Sequence, residues 1–281
     1  MILITGASGQ LGRLVIDNLL NTTPANQIVA AVRNPENIAD LAEKGVQIRQ
    51  ADYSDLDSLV AAMQGVEKVL LVSSSEVGQR VEQHRNVIHA AKEAGVALIA
   101  YTSILNADTS PLILAKEHVT TENLLAESGV PHVLLRNGWY SENYTMGLAT
   151  ALEYGVVGCA GDGKLSTAAR ADYAAAAAAV LVKDGQAGKV YELAGDNAFT
   201  LSEYAAAISK VSGKTVAYQN VPEAEYTKIL VGAGLPEGFS AILADSETGA
   251  SKGGLHSDSK DLSTLIGRST TSIEVSIKAA L

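Results

Sequence analysis

Near the start of the chain, Gly6-Ala7-Ser8-Gly9-Gln10-Leu11-Gly12 spaces three glycines evenly, directly after the apolar run Ile2–Thr5. A dinucleotide pyrophosphate needs a tight turn, a closely approachable backbone and free N–H groups at a helix start. Gly6 and Gly9 provide the turn and the approach, and Gly12 lets the helix sit against the strand. The spacing is G-x-x-G-x-x-G, not the G-x-G-x-x-G of many dehydrogenases, and glycine turns are common. Here the turn joins a strand to a helix at the head of a βα array, and that context points to a dinucleotide.

The end of the second apolar run indicates which one. NAD sites place Asp or Glu there for the ribose 2′-hydroxyl. This chain has Val32-Arg33-Asn34-Pro35, with no carboxylate before Glu36. A guanidinium pairs with a 2′-phosphate and stacks on adenine, so Arg33 points to NADP, the alternative being a solvated strand-end arginine. Asp52 is placed either to reach the adenine amino group or to cap the following helix. Further strand ends carry Ser73-Ser74-Ser75, suited to a ribose or to a plain loop, and Tyr101-Thr102-Ser103. Another brings Asn137-Gly138-Trp139-Tyr140-Ser141-Glu142, amide, indole and phenol groups that could wall a nicotinamide, although Trp139 could also be core.

Short-chain dehydrogenases reduce carbonyls with Tyr-x-x-x-Lys, the lysine lowering the tyrosine pKa. None of the ten tyrosines here has a lysine four residues on, and Leu112 stands where Lys116 would want its tyrosine. Hydride transfer still works with an acceptor that stabilises its own product, such as a quinone or a cationic dye. His118, Tyr140, Asn143 and Lys116 are candidates for a weak acid or an orienting donor, each with a supporting role behind the site or a surface role as the alternative. His84 and His89 miss the i,i+4 spacing of helical metal ligands and no Cys/His cluster occurs, so no metal is expected. No G-x-S-x-G elbow occurs, which sets aside serine hydrolysis.

The elements that must position these groups alternate regularly. Strands are expected at Ile2–Thr5, Ile28–Val32, Val46–Arg49, Val69–Val72, Ala97–Tyr101 and His132–Arg136, with helices between them at Leu11–Leu20, Ile38–Glu43, Leu56–Met63, Gln79–Ala94 and Leu114–Ala126. Uninterrupted apolar strands in βα repetition imply an α/β protein with a doubly wound parallel Rossmann sheet. Gly45, Gly95 and Gly129 each punctuate a helix-to-strand junction. Further on the pattern predicts a helix at Ser141–Glu153, a strand and loop at Gly155–Gly163, a helix at Tyr173–Val182 capped by Asp172, and a strand at Lys189–Leu193. A helix at Leu201–Val211, a strand at Val216–Asn220 and a tail of helices and loops follow. The expected division is residues 1–153 for the NADP-binding domain and 154–281 for a smaller α/β annex.

The 281 residues are 47% apolar and 19% charged, enough for a large core and unlike a disordered chain. A formal charge of −10 argues against non-specific nucleic-acid binding and docking on anionic membranes. The single cysteine, Cys159, favours a reducing compartment, and the N-terminus has no signal-peptide pattern, so a cytoplasmic protein is expected. The longest apolar run, Tyr173–Val182, is about half the length of a membrane span. Nothing in the sequence indicates a homo-oligomer.

The segments ITGASGQLG, VRNP, QADYSD and VSSSEVGQRVEQHRNVI, then AYTS, HVLLRNGWYSENY, AGDGKLSTAARADYAAA, KVYELAG and GASKGGL, cover nearly the whole chain. Together they resemble the NmrA-like atypical short-chain dehydrogenases, in particular a branch that reduces quinones, with a dye-reducing branch related to it. The resemblance implies a Rossmann domain, a smaller domain completing the substrate cleft, and two-electron quinone reduction with NADPH, without flavin or metal. It implies turn contacts from Gly6, Ala7, Ser8, Gly9, Gln10 and Leu11, a 2′-phosphate on Arg33, ribose contacts from Ser73, Ser74 and Ser75, and a nicotinamide pocket at Asn137–Glu142. Arg170 is a further candidate, and Ser8 replaces the family's usual threonine while keeping its hydroxyl. An NADP(H)-binding redox sensor without turnover, or a reductase of another conjugated acceptor, are the alternatives.

Overall fold

In a βα array each apolar strand is covered on both faces, so its residues need not alternate. Ile28–Val32 is buried at every position, and Leu98–Ile104 likewise. The computed structural model describes residues 1–281. In chain order the elements begin β1 (Ile2–Ile4), α1 (Gln10–Leu19), β2 (Ile28–Val32), α2 (Ala39–Glu43), β3 (Gln47–Gln50), α3 (Leu56–Ala62), β4 (Lys68–Leu71), α4 (Arg80–Glu93), β5 (Leu98–Ile104), α5 (Ala115–Ser128) and β6 (His132–Asn137). There follow α6 (Glu142–Thr145), α7 (Leu148–Tyr154), β7 (Val156–Gly158), α8 (Arg170–Val182), β8 (Val190–Leu193), α9 (Leu201–Ser212) and β9 (Tyr218–Asn220). Four helices complete the chain: α10 (Glu223–Gly232), α11 (Glu237–Ser251), α12 (Asp261–Ile266) and α13 (Ile273–Ala280).

Seven strands form one sheet in the order β3-β2-β1-β4-β5-β6-β8, and β7 pairs with β9 in a separate parallel ribbon. The order reverses between β1 and β4, the switch point at which doubly wound sheets bind ligands beyond the strand ends. Edge strand β3 carries Gln47, Arg49 and Gln50, and polar side chains there discourage pairing with another chain. In α8 the buried alanines Ala174, Ala176, Ala177 and Ala178 let the helix lie close along α1. Asp172 does not cap this helix. The helix starts at Arg170, and Asp172 is a fully buried residue of its first turn.

Two compact units emerge, and their boundary is not a single point near residue 153. One comprises Met1–Ile104, Glu117–Asn137 and Arg170–Tyr191; the other comprises Leu105–Lys116, Gly138–Ala169 and Glu192–Leu281. The expected helix at Ser141–Glu153 is two helices, because Gly147 leaves the helical region at φ −89°, ψ 9°. The strand ending at Asn220 pairs with β7 of the second unit.

Inside the first unit, Glu122 of α5 takes two hydrogen bonds from Arg136 of β6, at 3.0 and 2.7 Å, and one from the Ser103 hydroxyl at 2.6 Å. Both charged side chains are only 10% exposed. Breaking a buried pair by removing one partner costs about 3–5 kcal/mol. Glu122→Ala should lower the unfolding free energy by about that much, measured by urea denaturation; a loss below about 1 kcal/mol would show that the pair is not structural.

Stability should also depend on pH with a sign set by three buried groups. Burial, assisted by the Arg80 charge, pushes the imidazoles of His84 and His118 from 6.5 down to about 3. Between those values the unfolded chain binds protons that the folded chain refuses, so each imidazole destabilises as pH falls. Burial of Glu247 in the second unit raises its carboxyl from 4.5 to about 7, which gives the opposite slope over that interval. Two groups outweigh one. Urea midpoints should therefore fall from pH 6.5 to 4.5, and a rise over that interval would contradict these assignments.

Candidate functional site

Gly6 turns the chain out of β1 with φ +58°, a left-handed conformation that glycine adopts without strain. Its carbonyl accepts the Gly9 N–H at 2.9 Å, closing the turn. Gly9 is the N-cap of α1, so no side chain ties up the first N–H groups of the helix. A Cβ on Gly9 would stand 3.2 Å from the Gly6 carbonyl, and one on Gly12 only 2.5 Å from it. Helix and turn are thus in backbone contact, made possible by the missing side chains. Beneath them the Tyr53 hydroxyl donates to the Val72 carbonyl at 2.7 Å, and the Thr5 hydroxyl to that of Leu70 at 3.0 Å. The turn fits a pyrophosphate: a glycine cradle, a helix of ten residues with its N–H groups open, and its positive dipole end. Arg170, the first residue of α8, hydrogen-bonds the Gln10 side chain at this edge.

Beside the turn lies a cavity of about 600 Å³ whose walls include Ser8, Arg33, Asn34, Gln50, Asp52 and Asp55. Arg33 is the one cationic side chain among its lining residues. Its position is fixed through the backbone, since the Gln50 amide donates to the Arg33 carbonyl at 3.2 Å. The guanidinium itself is well exposed and lies 3.4 Å from Glu76. Of the two roles expected for Asp52, the helix cap belongs to Asp55. Asp55 caps α3 by accepting the Ser58 N–H at 3.2 Å, whereas Asp52 accepts the Ser54 N–H at 2.8 Å in a local turn and faces the cavity.

After β4 the chain enters a loop held by buried polar groups. The Ser74 N–H donates to His84 Nε2 at 2.9 Å, which leaves the imidazole proton on Nδ1, facing the Thr121 hydroxyl at 2.9 Å. The neutral imidazole follows from burial, which depresses its pKa. Arg80 donates to the Ser74 carbonyl at 2.7 Å and pairs with Glu117 at 3.0 Å; Glu117 also accepts the Gly78 N–H at 2.9 Å. The Ser74 hydroxyl bonds the buried Gln83. This hydroxyl is turned into the protein, so the expectation that it meets a ribose is corrected. Ser73 is half-buried and Ser75 exposed, and both remain candidates.

Two further expectations change. Tyr101 has no exposed surface and its hydroxyl meets His118 Nδ1 at 2.7 Å. Burial pushes that phenol up and holds the imidazole neutral. Side chains alternate along a strand, and at Tyr101 the side chain points under the helices, not out to a ligand. Neither residue can serve as a cofactor contact or proton donor from this position.

Asn137 ends β6 and is buried. In the second unit, Gly138 donates to the Leu193 carbonyl at 2.8 Å, Tyr140 bridges to Ala168, and Ser141 donates to the Ala168 carbonyl at 2.9 Å and meets the Thr167 hydroxyl at 2.9 Å. Gly195 comes so close to the Thr167 backbone that no other residue fits there. These contacts hold the segment rigidly, with Trp139, Tyr140 and Glu142 half-buried and Asn143 exposed. Nearby the Tyr144 hydroxyl is buried without a hydrogen-bond partner, its ring edge-on to Phe199 and Tyr204. The residues that sequence reasoning missed are Glu76, in the loop after β4, and Gln83 and His84, which hold that loop from α4. Helical spacing of polar groups within α4 was the one available hint.

Comparison with known proteins agrees with this fold. The profile of the NmrA-like family matches residues 1–273. The chain is 61% identical to quinone oxidoreductase 2 of Escherichia coli over 278 residues, 99% of this chain and 97% of that protein. It superposes on the crystal structure of the E. coli NADPH-dependent quinone oxidoreductase in complex with NADPH with a TM-score of 0.98, at 60% identity and 99% coverage of both chains. It is also similar to triphenylmethane reductase of Citrobacter sp. complexed with NADP(H), with a TM-score of 0.97, 41% identity and full coverage of both chains. From its glycine turn to the helices of its second unit, this chain belongs to the NmrA-like family.

Proposed function

We propose that the protein is an NADPH-dependent oxidoreductase that reduces quinones by direct two-electron transfer. The observation that carries this reading is Arg33 standing in a 600 Å³ cavity that begins at Ser8 of the glycine turn. A pyrophosphate at the open N–H groups of α1 and a 2′-phosphate at Arg33 suit the two ends of that arrangement. Full-length similarity to an NADPH-dependent quinone oxidoreductase supports the acceptor. When bound, NADPH supplies a hydride from its nicotinamide ring. The chain contributes position: Gly6–Leu11 hold the pyrophosphate, Arg33 and Asp52 the adenosine end, and Asn137–Glu142 the nicotinamide end. A quinone that accepts a hydride becomes an aromatic hydroquinone anion, so a strong acid is not needed to complete the reaction. Tyr140 and Asn143 are the donors proposed to orient the acceptor oxygen, and the hydroquinone anion then takes the single proton that completes the product from water. The reading places the protein in the cytoplasm; no helix is long and apolar enough to cross a membrane.

A panel of acceptors tests this. With NADPH present, benzoquinone or a naphthoquinone should be reduced with one NADPH consumed per quinone, and no consumption with any quinone would overturn the reading. Similarity to triphenylmethane reductase favours a second acceptor class, cationic triarylmethane dyes. Faster turnover of a dye than of every quinone would make that the principal activity.

A further inference from the structure

The end of β2 lacks the carboxylate that NAD-selective sites place there, yet the fold brings one to Arg33 from elsewhere. Glu76, in the loop after β4, sets Oε1 3.4 Å from the Arg33 guanidinium. Its other oxygen, Oε2, accepts from Gln83 Nε2 at 2.9 Å, and its backbone N–H donates to the Ser74 hydroxyl at 3.1 Å. Gln83 and Ser74 are buried, and Arg80 and His84 pin the same loop, so this carboxylate is held in place and does not simply wander on the surface. We infer that Glu76 is a specificity-determining residue: it partly neutralises Arg33 and so limits how strongly the site prefers NADPH over NADH. The inference rests on the proposal that Arg33 receives the 2′-phosphate.

A 2′-phosphate carries up to two negative charges to a guanidinium that already has an anionic neighbour. Its arrival must weaken the Arg33–Glu76 pair or tolerate like charge beside it, and both reduce net binding. NADH brings a hydroxyl, which has no such conflict. Both groups are substantially exposed, with side-chain accessibilities of 68% and 42%, so the effect is moderate and screened by salt.

The experiment measures NADPH and NADH dissociation constants by fluorescence titration at low and high salt. It uses the wild type, Glu76→Gln, Arg33→Ala and the double variant. Glutamine can still accept from Gln83, which keeps the loop in place. The expected result for Glu76→Gln is NADPH binding tighter by roughly 3–10-fold at low salt, with NADH little changed and the gain shrinking as salt rises. In the Arg33→Ala background the same substitution should change the ratio much less, because only direct repulsion between carboxylate and phosphate is left to remove. An unchanged ratio in Glu76→Gln, or an effect undiminished by removal of Arg33, overturns the inference. If Arg33→Ala itself leaves the wild-type preference intact, the 2′-phosphate assignment falls first, and this inference with it.

Discussion

Arg33→Glu should weaken NADPH binding about 100-fold while NADH affinity changes only a few-fold. Hydrogen bonds to charged groups contribute about 1.5–3 kcal/mol, and charge reversal adds repulsion to that loss. At 1.4 kcal/mol per tenfold, the upper part of this range gives about two decades. The substitution acts locally, because Arg33 is exposed and the backbone contact with Gln50 uses its carbonyl, which any residue supplies. Fold stability should therefore stay near that of the wild type. Dissociation constants or KM values for both nucleotides provide the check, and an unchanged NADPH-to-NADH ratio would refute the assignment.

Gly12→Val should abolish measurable NADPH binding and cost stability as well. A Cβ here meets the Gly6 carbonyl oxygen at 2.5 Å and the Ala7 Cα at 3.0 Å. These are backbone atoms and cannot rotate aside, so α1 must move off the turn that it helps to form. Overpacking of this kind costs about 1–3 kcal/mol. Gly9→Val is the informative comparison, because its Cβ would lie 3.2 Å from the same carbonyl and Gly9 is the N-cap residue, where the open N–H groups of α1 begin. It should weaken NADPH binding by a larger factor than its effect on thermal stability suggests. Titration and thermal melting of both variants test the pair; full NADPH affinity in Gly12→Val would mean that helix and turn are not coupled.

How much of this was legible in the sequence depended on whether the deciding interaction was local. The glycine turn is local: three glycines, one strand and one helix specify it. Gly45, Gly95 and Gly129 were read as helix ends, and they adopt φ of +87°, +69° and +74°. The parallel, doubly wound sheet was implied by βα repetition, whereas the strand order, with its switch between β1 and β4, comes from the structure. Failures came from contacts distant in sequence. Tyr101 looked like a strand-end ligand, but the face on which it lands depends on the register of β5 and on His118 reaching back from α5. Ser74 looked like a ribose donor until Gln83 and His84 claimed its hydroxyl and N–H. Glu76 was invisible as a neighbour of Arg33, 43 residues away. Gly147 breaks an otherwise helical pattern, and a single glycine is too weak a signal to place such a break from propensity alone.

In the proposed reaction a hydride passes from NADPH to the acceptor with no intermediary. A single-turnover reaction with NADPH deuterated at C4 of the nicotinamide, on one face and then on the other, tests this most directly. Flavin-free protein should reduce a quinone at a rate slowed by deuterium on one face only. Turnover that needs added flavin, or a rate indifferent to deuterium on both faces, would contradict direct transfer.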